Sequence, residues 1–196
     1  MDPTSGVTVV PQFEVCSTHS PSDHELADRS RASCYCRGAE CATMKSVAMP
    51  FELRQATSGD AKAIAELYCA SFRLLTFLPM LHTIEGYRRY VAGVMLNQCA
   101  VTVAEDDTGI TSFLARLSEE VRQLYTRPDR IGRGAGTQLI EAAKWSGAAA
   151  LELWCFQANA RALRFYEARG FRAIRFTDGA LNEERTPGVR YRWERD

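Results

Sequence analysis

The chain has 196 residues, 46% of them hydrophobic, and its 24 basic side chains balance 24 acidic ones. That length favours one globular domain with a buried core, and the zero net charge disfavours broad attraction to nucleic acid or an anionic membrane. No stretch approaches the roughly 20 apolar residues that span a bilayer, and the N-terminus lacks a basic stretch followed by an apolar run. We therefore expect a soluble, unexported protein with neither nucleic acid nor membrane as a partner.

Residues 1–49 differ in composition from the rest of the chain. They contain STHSPSDHELADRSRASCYCRGAE, which is rich in Ser, Pro and charged residues and has no sustained period of 2 or 3.6, a pattern that predicts disorder. We therefore divide the chain into a disordered extension, 1–49, and a domain, 50–196. A true start at Met44 or Met49, with the preceding segment misassigned, is an alternative interpretation of the same pattern.

The cysteines fall into two groups. Cys69, Cys99 and Cys155 lie among apolar residues of predicted core elements, where free cysteine behaves as a small hydrophobe, and this favours a reducing, cytoplasmic setting. The potential metal ligands of the extension are Cys16, His19, His24, Cys34, Cys36 and Cys41. Because their spacing fits neither paired C-x-x-C knuckles nor a Cys/His finger, we prefer a solvated tail to a zinc site and expect no metal.

From residue 51 onward, strand-like and helix-like stretches alternate. In chain order they are strand 51–57, helix 58–72, helix 83–96, strand 100–105, strand 110–118, strand 120–126, helix 136–146, strand 150–156, helix 159–169, strand 171–176 and strand 189–193. The DDTG stretch between the second and third strands predicts a hairpin turn, and Gly147 and Gly170 end the last two helices. The alternation predicts an α/β fold with a mixed, partly parallel central sheet flanked by helices.

The stretch IGRGAGTQ, residues 131–138, places three glycines on alternate positions between a strand and a helix. Such a loop can turn backbone N–H groups towards a phosphate at a helix N-terminus, although an ordinary tight turn also fits. A P-loop would need Lys after the last glycine, where the chain has Thr137 and Gln138. The glycines are also too closely spaced for the dinucleotide fingerprint. Both of these nucleotide-binding interpretations are therefore disfavoured.

Two motifs resemble those of the GNAT superfamily of acetyl-CoA-dependent N-acetyltransferases. IGRGAG is similar to the family's pyrophosphate loop, Q/R-x-x-G-x-G/A, with Ile131 in place of the usual Gln or Arg. NARALRFYEARGF, residues 159–171, is similar to the family's N-x-x-A-x-x-F-Y-E-x-x-G-F helix. The motifs occur in the family's order, and the resemblance extends over roughly 51–196. It implies a GNAT-like fold whose middle strands splay apart to form a slot for acetyl-CoA, the co-substrate.

The resemblance also implies which residues contact acetyl-CoA. They are Leu124, Tyr125 and Thr126 on the strand, Ile131, Gly132, Arg133, Gly134, Ala135, Gly136 and Thr137 in the loop and helix start, and Asn159 and Tyr166 on the later helix. Backbone groups hold most of the ligand, and Arg133 or Arg130 could supply positive charge in place of the missing polar side chain at Ile131.

Asn159 and Tyr166 are seven residues apart, about two helical turns, so that both project from one face. Taken alone, they would be an N-cap and a core aromatic. The resemblance instead implies that both contact the co-substrate. Tyr166 is then the catalytic acid that protonates the departing CoA thiolate, whose pKa is near 8.5 like that of other thiols.

Glu120 begins the strand before the loop, where some members of the family have a general-base glutamate. An alkylammonium of pKa about 10.4 is neutral only about once in 2,500 molecules at pH 7, so that a base or water chain must remove its proton. By alternation Glu120 shares a face with Arg122, Leu124 and Thr126, whereas Glu119 faces away. A solvated charge at the strand end is the alternative. Strand N–H groups within 124–126 could stabilise the oxyanion.

Phe77 and His82 lie in the connection between the first two helices, which in the family usually walls the acceptor side. Phe77 could line an apolar acceptor pocket, and His82 could bind the acceptor or act as a base. The alternatives are a core phenylalanine and a packed or exposed structural histidine.

The sequence therefore predicts an N-acetyltransferase that transfers an acetyl group from acetyl-CoA to a primary amine, of a small molecule or a peptide, by direct attack in a ternary complex. A non-catalytic acyl-CoA-binding or regulatory module is the alternative, and Tyr166 favours the enzyme because a binding module needs no acid on that face. Exposed strands near the C-terminus could pair between chains, which makes a homodimer possible.

Overall fold

A computed structural model describes residues 51–195 of the chain. The predictions made for residues 1–49, including the disorder, the alternative start and the Cys and His residues, lie outside the described residues, and the division at residue 50 stays a prediction. Within 51–195, no helix is long and apolar enough to cross a membrane, and no group of three or more His, Cys, Asp or Glu residues is placed to hold a metal ion.

The described residues form seven strands and five α-helices. The strands are β1 (Glu52–Gln55), β2 (Ala100–Asp106), β3 (Gly109–Leu117), β4 (Glu120–Thr126), β5 (Ala150–Phe156), β6 (Arg172–Thr177) and β7 (Gly188–Glu194). The helices are α1 (Ala61–Phe72), α2 (Ile84–Tyr90), α3 (Leu96–Gln98), α4 (Ala135–Trp145) and α5 (Ala160–Glu167), with a π-helical stretch, Val91–Met95, joining α2 to α3. The predicted element types and their order are therefore confirmed.

The strands form one mixed sheet in the order β1-β2-β3-β4-β5-β7-β6. Neighbouring strands are antiparallel, apart from β4 and β5, which run parallel. Because β4 and β5 point the same way, the chain must cross back between them, and α4 makes that crossing. The predicted α/β fold, with a partly parallel sheet flanked by helices, is confirmed.

The parallel pair separates soon after it starts. Glu120 pairs with Glu152 and Val121 with Leu153, and the register ends there. Both strands continue for several residues, to Thr126 and Phe156. A gap therefore opens in the middle of the sheet at the carboxyl ends of β4 and β5, where parallel strands of α/β proteins usually present their ligand sites.

The two faces of the sheet bury separate apolar clusters. Along β3, Phe113 and Ala115 pack into the cluster formed with α1 and α2, whereas Leu114 between them packs into the cluster formed with α4 and α5. This is the alternation expected of a strand that is buried on both sides. The gap between β4 and β5 therefore connects two differently built sides of the molecule.

A β-bulge in β4 changes the faces predicted for its side chains. Ala115 pairs with Gln123 and the next β3 residue, Arg116, pairs with Val121, so that Arg122 is the extra residue. Val121 consequently packs on the α4 side, whereas Gln123 lies beside Tyr90, which is packed on the α2 side.

The prediction that Glu120 shares a face with Leu124 and Thr126 is therefore wrong. Strict alternation fails at the bulge, because one inserted residue reverses the parity of every position before it. Glu120 still lies beside Arg122, whose Nε is 3.1 Å from its carboxylate. Leu124 packs with the α4 cluster, and Thr126 Oγ1 lies beside Gly136 of α4.

Burial raises the pKa of six tyrosines: Tyr68, Tyr87, Tyr90, Tyr125, Tyr166 and Tyr191. Below pH about 10 these hydroxyls are protonated in both the folded and unfolded states. Above it the unfolded chain releases protons that the folded chain keeps, so the free energy of unfolding must fall as pH rises. We expect each tyrosine to contribute a loss of about 1.4 kcal/mol per pH unit until its folded pKa is reached.

Urea unfolding between pH 8 and pH 12 measures this loss of stability. The pKa of Tyr90 is raised to about 12, so that Tyr90→Phe should make the decline between pH 10 and pH 12 shallower by about 1.4 kcal/mol per pH unit. Equal slopes in the parent and the variant would contradict the prediction. A fall in stability that begins well below pH 10 would point to groups other than these tyrosines.

Candidate active site

A cavity of about 700 Å³ lies in the gap between β4 and β5. Its walls come from the end of α1 and the residues after it, from β4 and β5, from the glycine loop 131–136, and from α5. Of the predicted site residues, the wall contains Phe77, Leu124, Tyr125, Thr126, Ile131, Gly132, Gly134, Ala135, Gly136, Thr137, Asn159 and Tyr166. Arg133, Glu120 and His82 are not part of it.

The glycine loop owes its shape to two of its three glycines. Gly132 and Gly134 have φ angles of 86° and 100°, which residues other than glycine rarely adopt. At Gly136, by contrast, a Cβ would only make ordinary contacts, 3.6 Å from Phe165 and from Thr126 Oγ1. The alternate glycines therefore have different roles, and only the first two are required by backbone conformation.

Helix α4 begins directly after this loop, with Gly134 at its N-cap and no side chain capping it. The first N–H groups of a helix have no partners within the helix, and together with the helix dipole they favour a negative charge. An uncapped N-terminus at the wall of a cavity is therefore suited to a phosphate group.

Helix α5 presents a second N-terminus to the same cavity. Asn159 is its N-cap and accepts a hydrogen bond from the Ala162 N–H at 3.2 Å, so that its side-chain N–H₂ stays available as a donor. The capping role that a lone asparagine would suggest is thus compatible with a place in the cavity wall.

Tyr166 lies two turns further along α5 and is 8% exposed. Its ring packs against Phe165, Phe171 and Tyr191, with centroids 5.2, 5.7 and 6.3 Å away. Burial raises its pKa above the usual range, and therefore the hydroxyl keeps its proton throughout the neutral range. Tyr166 is thus a core aromatic residue that also belongs to the cavity wall, and its hydroxyl is protonated.

Tyr125 contributes to the wall differently from its neighbours on β4. Its ring packs against Tyr68 of α1, with centroids 4.5 Å apart, on the face opposite the glycine loop. At the end of the strand, Ser71 of α1 donates a hydrogen bond to the Thr126 carbonyl at 2.7 Å. Helix α1 therefore fixes the end of β4 beside the cavity.

Residues 97–173 match the family model described as Acetyltransferase (GNAT) domain. In this stretch the chain is similar to a GNAT acetyltransferase domain. It is also similar, at 36% identity over 83 residues, to an uncharacterized N-acetyltransferase of Methanocaldococcus jannaschii. That match covers 40% of this chain, and the chain spans only 37% of the length of that curated relative.

Solved structures resemble the fold of this chain. Apo-form YjaB of Escherichia coli is matched over 74% of this chain and 98% of its own, with 20% identity and a TM-score of 0.62. The PaiA N-acetyltransferase of Thermoplasma acidophilum, in complex with coenzyme A, is matched over 75% of this chain and 100% of its own, with 20% identity and a TM-score of 0.59. At such identities the similarity concerns the fold.

Two arginines that sequence reasoning missed lie beside the glycine loop. A guanidinium nitrogen of Arg161 lies 3.9 Å from where a Cβ on Gly132 would be. Arg169 stacks 3.6 Å from the Phe165 ring centre and donates hydrogen bonds to the Phe165 carbonyl, at 2.7 Å, and to Thr137 Oγ1. Residues 161, 165 and 169 recur every four positions, so that a common helix face could have been read from the sequence.

The charge of these two arginines suits an anionic ligand. Neither forms an ion pair with a carboxylate of the described residues at 4 Å or less, and the Arg169 Nε is buried without a hydrogen-bond partner. Arg130 also lines the cavity, but Asp106 lies 3.4 Å from it. With the two helix N-termini, the wall fits the phosphates of a coenzyme A thioester. Of the two arginines that the sequence suggested as the source of charge, Arg130 therefore lies in the wall, and Arg133 is exposed outside it.

The structure does not bring Glu120 and His82 to the cavity wall. Glu120 lies at the paired end of β4, beside Arg122, which does line the cavity. His82 is 3.0 Å from a carboxylate oxygen of Glu183 in the connection between β6 and β7. This contact joins two connections that are about a hundred residues apart in sequence.

Proposed function

We propose that the chain is an N-acetyltransferase that transfers an acetyl group from acetyl-CoA to a primary amine. The observation that carries the proposal is the gap between β4 and β5, which opens beside two helix N-termini and has the Tyr166 side chain in its wall. The similarity to the coenzyme A complex of the Thermoplasma acidophilum enzyme supports the same donor.

In this proposal the donor lies along β4 with its phosphates at the glycine loop. Backbone groups of Leu124, Tyr125 and Thr126, which have no strand partner on the β5 side, hold the pantetheine arm as an added strand would. The phosphates meet N–H groups of 131–137, and Arg161 and Arg169 add positive charge. Asn159 contributes its side-chain amide from the second helix N-terminus.

The acetyl group passes directly from sulfur to nitrogen. The neutral amine attacks the thioester carbonyl, N–H groups of β4 stabilise the oxyanion, and the attacking nitrogen gives up one proton to water. The C–S bond then breaks as Tyr166 protonates the thiolate, and Tyr166 regains a proton from water. Cys155 lines the cavity, but burial raises the pKa of its thiol to about 12. A thiol that stays protonated is a poor nucleophile, and this disfavours an acetyl-cysteine intermediate.

Glu120 is the proposed base, and its place outside the wall requires that the proton reach it through water. Glu120→Gln should lower kcat/KM at pH 7 by about 10- to 100-fold, with a smaller loss near pH 10, where the amine is increasingly neutral without help. The measurement is the pH profile of kcat/KM.

Glu119→Gln is the matched control, because Glu119 is the exposed residue directly before Glu120 in the turn between β3 and β4. This variant should retain the pH profile of the parent. If Glu120→Gln and Glu119→Gln have the same profile, Glu120 is a surface charge, and water or another group deprotonates the amine.

The experiment that tests the proposed function is calorimetric titration of the full chain with acetyl-CoA, followed by a panel of amines monitored for release of free thiol. Binding together with amine-dependent thiol release supports the transferase. Binding without release from any amine would instead support the acyl-CoA-binding module. A folded chain that does not bind acetyl-CoA would contradict both functions.

A further inference from the structure

The connection between α1 and α2, residues 73–83, carries an unusual concentration of exposed apolar side chains. Leu74, Phe77, Met80 and Leu81 are 52%, 39%, 49% and 45% exposed. Single exposed apolar residues are common, but four large ones within eight positions form a patch, and such patches mark binding sites.

Part of this patch faces the cavity. The cavity wall includes Leu74 and Phe77 of the patch, together with the adjacent Leu75. The Phe77 ring meets the buried Phe156 ring edge-on, with centroids 6.1 Å apart. Phe156 packs with the α1 and α2 cluster, on the face of the sheet opposite the glycine loop and α5. The cavity therefore has a cationic, N–H-rich end on one face of the sheet and an apolar end on the other.

The patch is held in place by long-range contacts. Next to it, His82 contacts Glu183 at 3.0 Å and meets the Tyr87 ring edge-on at 6.2 Å. The connection that carries Glu183 is itself shaped by Asn182, which exchanges two hydrogen bonds with Thr186, at 2.7 and 3.0 Å. The end of the connection 73–83 is thus held against the connection between β6 and β7.

A carboxylate lies next to the patch. Glu183 is 3.0 Å from His82, the residue after Leu81, although Glu183 itself is not part of the cavity wall. Negative charge next to an apolar surface favours a ligand that joins a positive group to an apolar body.

We infer that the acceptor is a primary amine attached within a few bonds to an aryl or branched alkyl group, and that Phe77 and Leu74 select it. The inference rests on the proposed function and specifies the acceptor of that same site. A primary amine close to an aryl or branched alkyl group occurs both in arylalkylamines and in peptides with an apolar N-terminal residue. Transfer of an aromatic ring from water to an apolar wall should favour such amines about 10- to 150-fold over small hydrophilic ones.

The test compares 2-phenylethylamine, ethanolamine, spermidine and a short peptide with N-terminal phenylalanine, using the full chain. Thiol release at saturating acetyl-CoA gives kcat/KM, and calorimetry of each amine with the CoA-saturated protein gives its affinity independently of turnover. We expect 2-phenylethylamine or the peptide to exceed ethanolamine by at least tenfold in both measurements. A higher kcat/KM for 2-phenylethylamine would indicate a small arylalkylamine as the acceptor, and a higher kcat/KM for the peptide would indicate a peptide N-terminus.

Phe77→Ala should lower kcat/KM for 2-phenylethylamine at least tenfold more than it lowers kcat/KM for ethanolamine, so that most of the preference is lost. Phe176→Ala is the matched control, because Phe176 on β6 is 67% exposed and lies outside the cavity wall. Leu74→Ser provides a second variant should Phe77→Ala fail to fold.

Preference for ethanolamine or spermidine in affinity would overturn the inference. So would a Phe77→Ala variant that alters the choice between acetyl-CoA and butyryl-CoA while keeping the amine preference, because the apolar end would then accept the acyl chain. Absence of thiol release from every amine contradicts the proposed transfer, whereas the calorimetric preference still decides the inference.

Discussion

Replacing Tyr166 with phenylalanine is expected to lower kcat by roughly 100- to 10,000-fold, the range that general acid catalysis usually contributes. The substitution removes one hydroxyl from a buried ring and should leave the packing against Phe165 and Phe171 in place. Without that hydroxyl the thiolate must leave unprotonated. Affinity for acetyl-CoA should change little. The measurements are steady-state thiol release and calorimetric titration of the parent and the variant.

The matched control for this variant is Tyr191→Phe. Tyr191 is also buried in the same cluster, but its hydroxyl donates to Glu167 at 2.7 Å and it does not line the cavity. Its loss should affect stability and not kcat. Equal losses of kcat in both variants would mean that Tyr166 acts through packing alone. If Tyr166→Phe keeps full kcat, another group protonates the leaving thiolate.

Gly134→Ala is expected to weaken acetyl-CoA binding by roughly 10- to 150-fold. A Cβ at Gly134 would meet no atom within 4 Å, so that the cost comes from the φ angle of 100°. An alanine there is strained by about 1–2 kcal/mol, and a loop that relaxes the strain turns its N–H groups away from the phosphate. Loss of one hydrogen bond to a charged group, about 1.5–3 kcal/mol, accounts for the expected change in Kd. Calorimetric titration measures it.

Gly109→Ala provides the control, because Gly109 has nearly the same conformation. Its φ angle is 92° and a Cβ would likewise meet nothing within 4 Å, but it lies in the β2–β3 hairpin, outside the cavity wall. Both variants should lose similar stability, a few degrees in Tm. Only Gly134→Ala should raise the Kd. If both variants raise the Kd equally, or if neither variant changes it, a role of this loop in phosphate binding is contradicted.

Local patterns were sufficient to predict the elements of this fold. Helix α1 buries Ile64, Leu67, Tyr68 and Phe72 at helical spacing, and strands β4 and β5 have the boundaries that the sequence predicts. The turns at Gly147 and Gly170 have the positive φ angles expected after helices. These features depend on neighbours within about four residues, and the sequence alone contains that information.

Prediction failed where one strand depends on another. The bulge at Arg122 follows from the pairing of β3 with β4, and nothing in the run EVRQLYT marks it. The assignment of Glu120 to the face of Leu124 was wrong for that reason. The place of His82 likewise depends on Glu183, which is 101 residues away.

The order of strands and helices, the glycine loop between β4 and α4, and the two motifs that resemble those of the GNAT superfamily could all be identified in the sequence. The structure was needed to show that β4 and β5 part after two paired residues and that an apolar patch forms one end of the cavity. It was also needed to show that Arg161 and Arg169 line the cavity together with Arg130, whereas Arg133 does not. The difference lies in the sequence separation of the interacting residues. Backbone conformation is set by adjacent residues, whereas strand register and cavity walls arise from contacts between distant segments, whose packing determines which side chains meet.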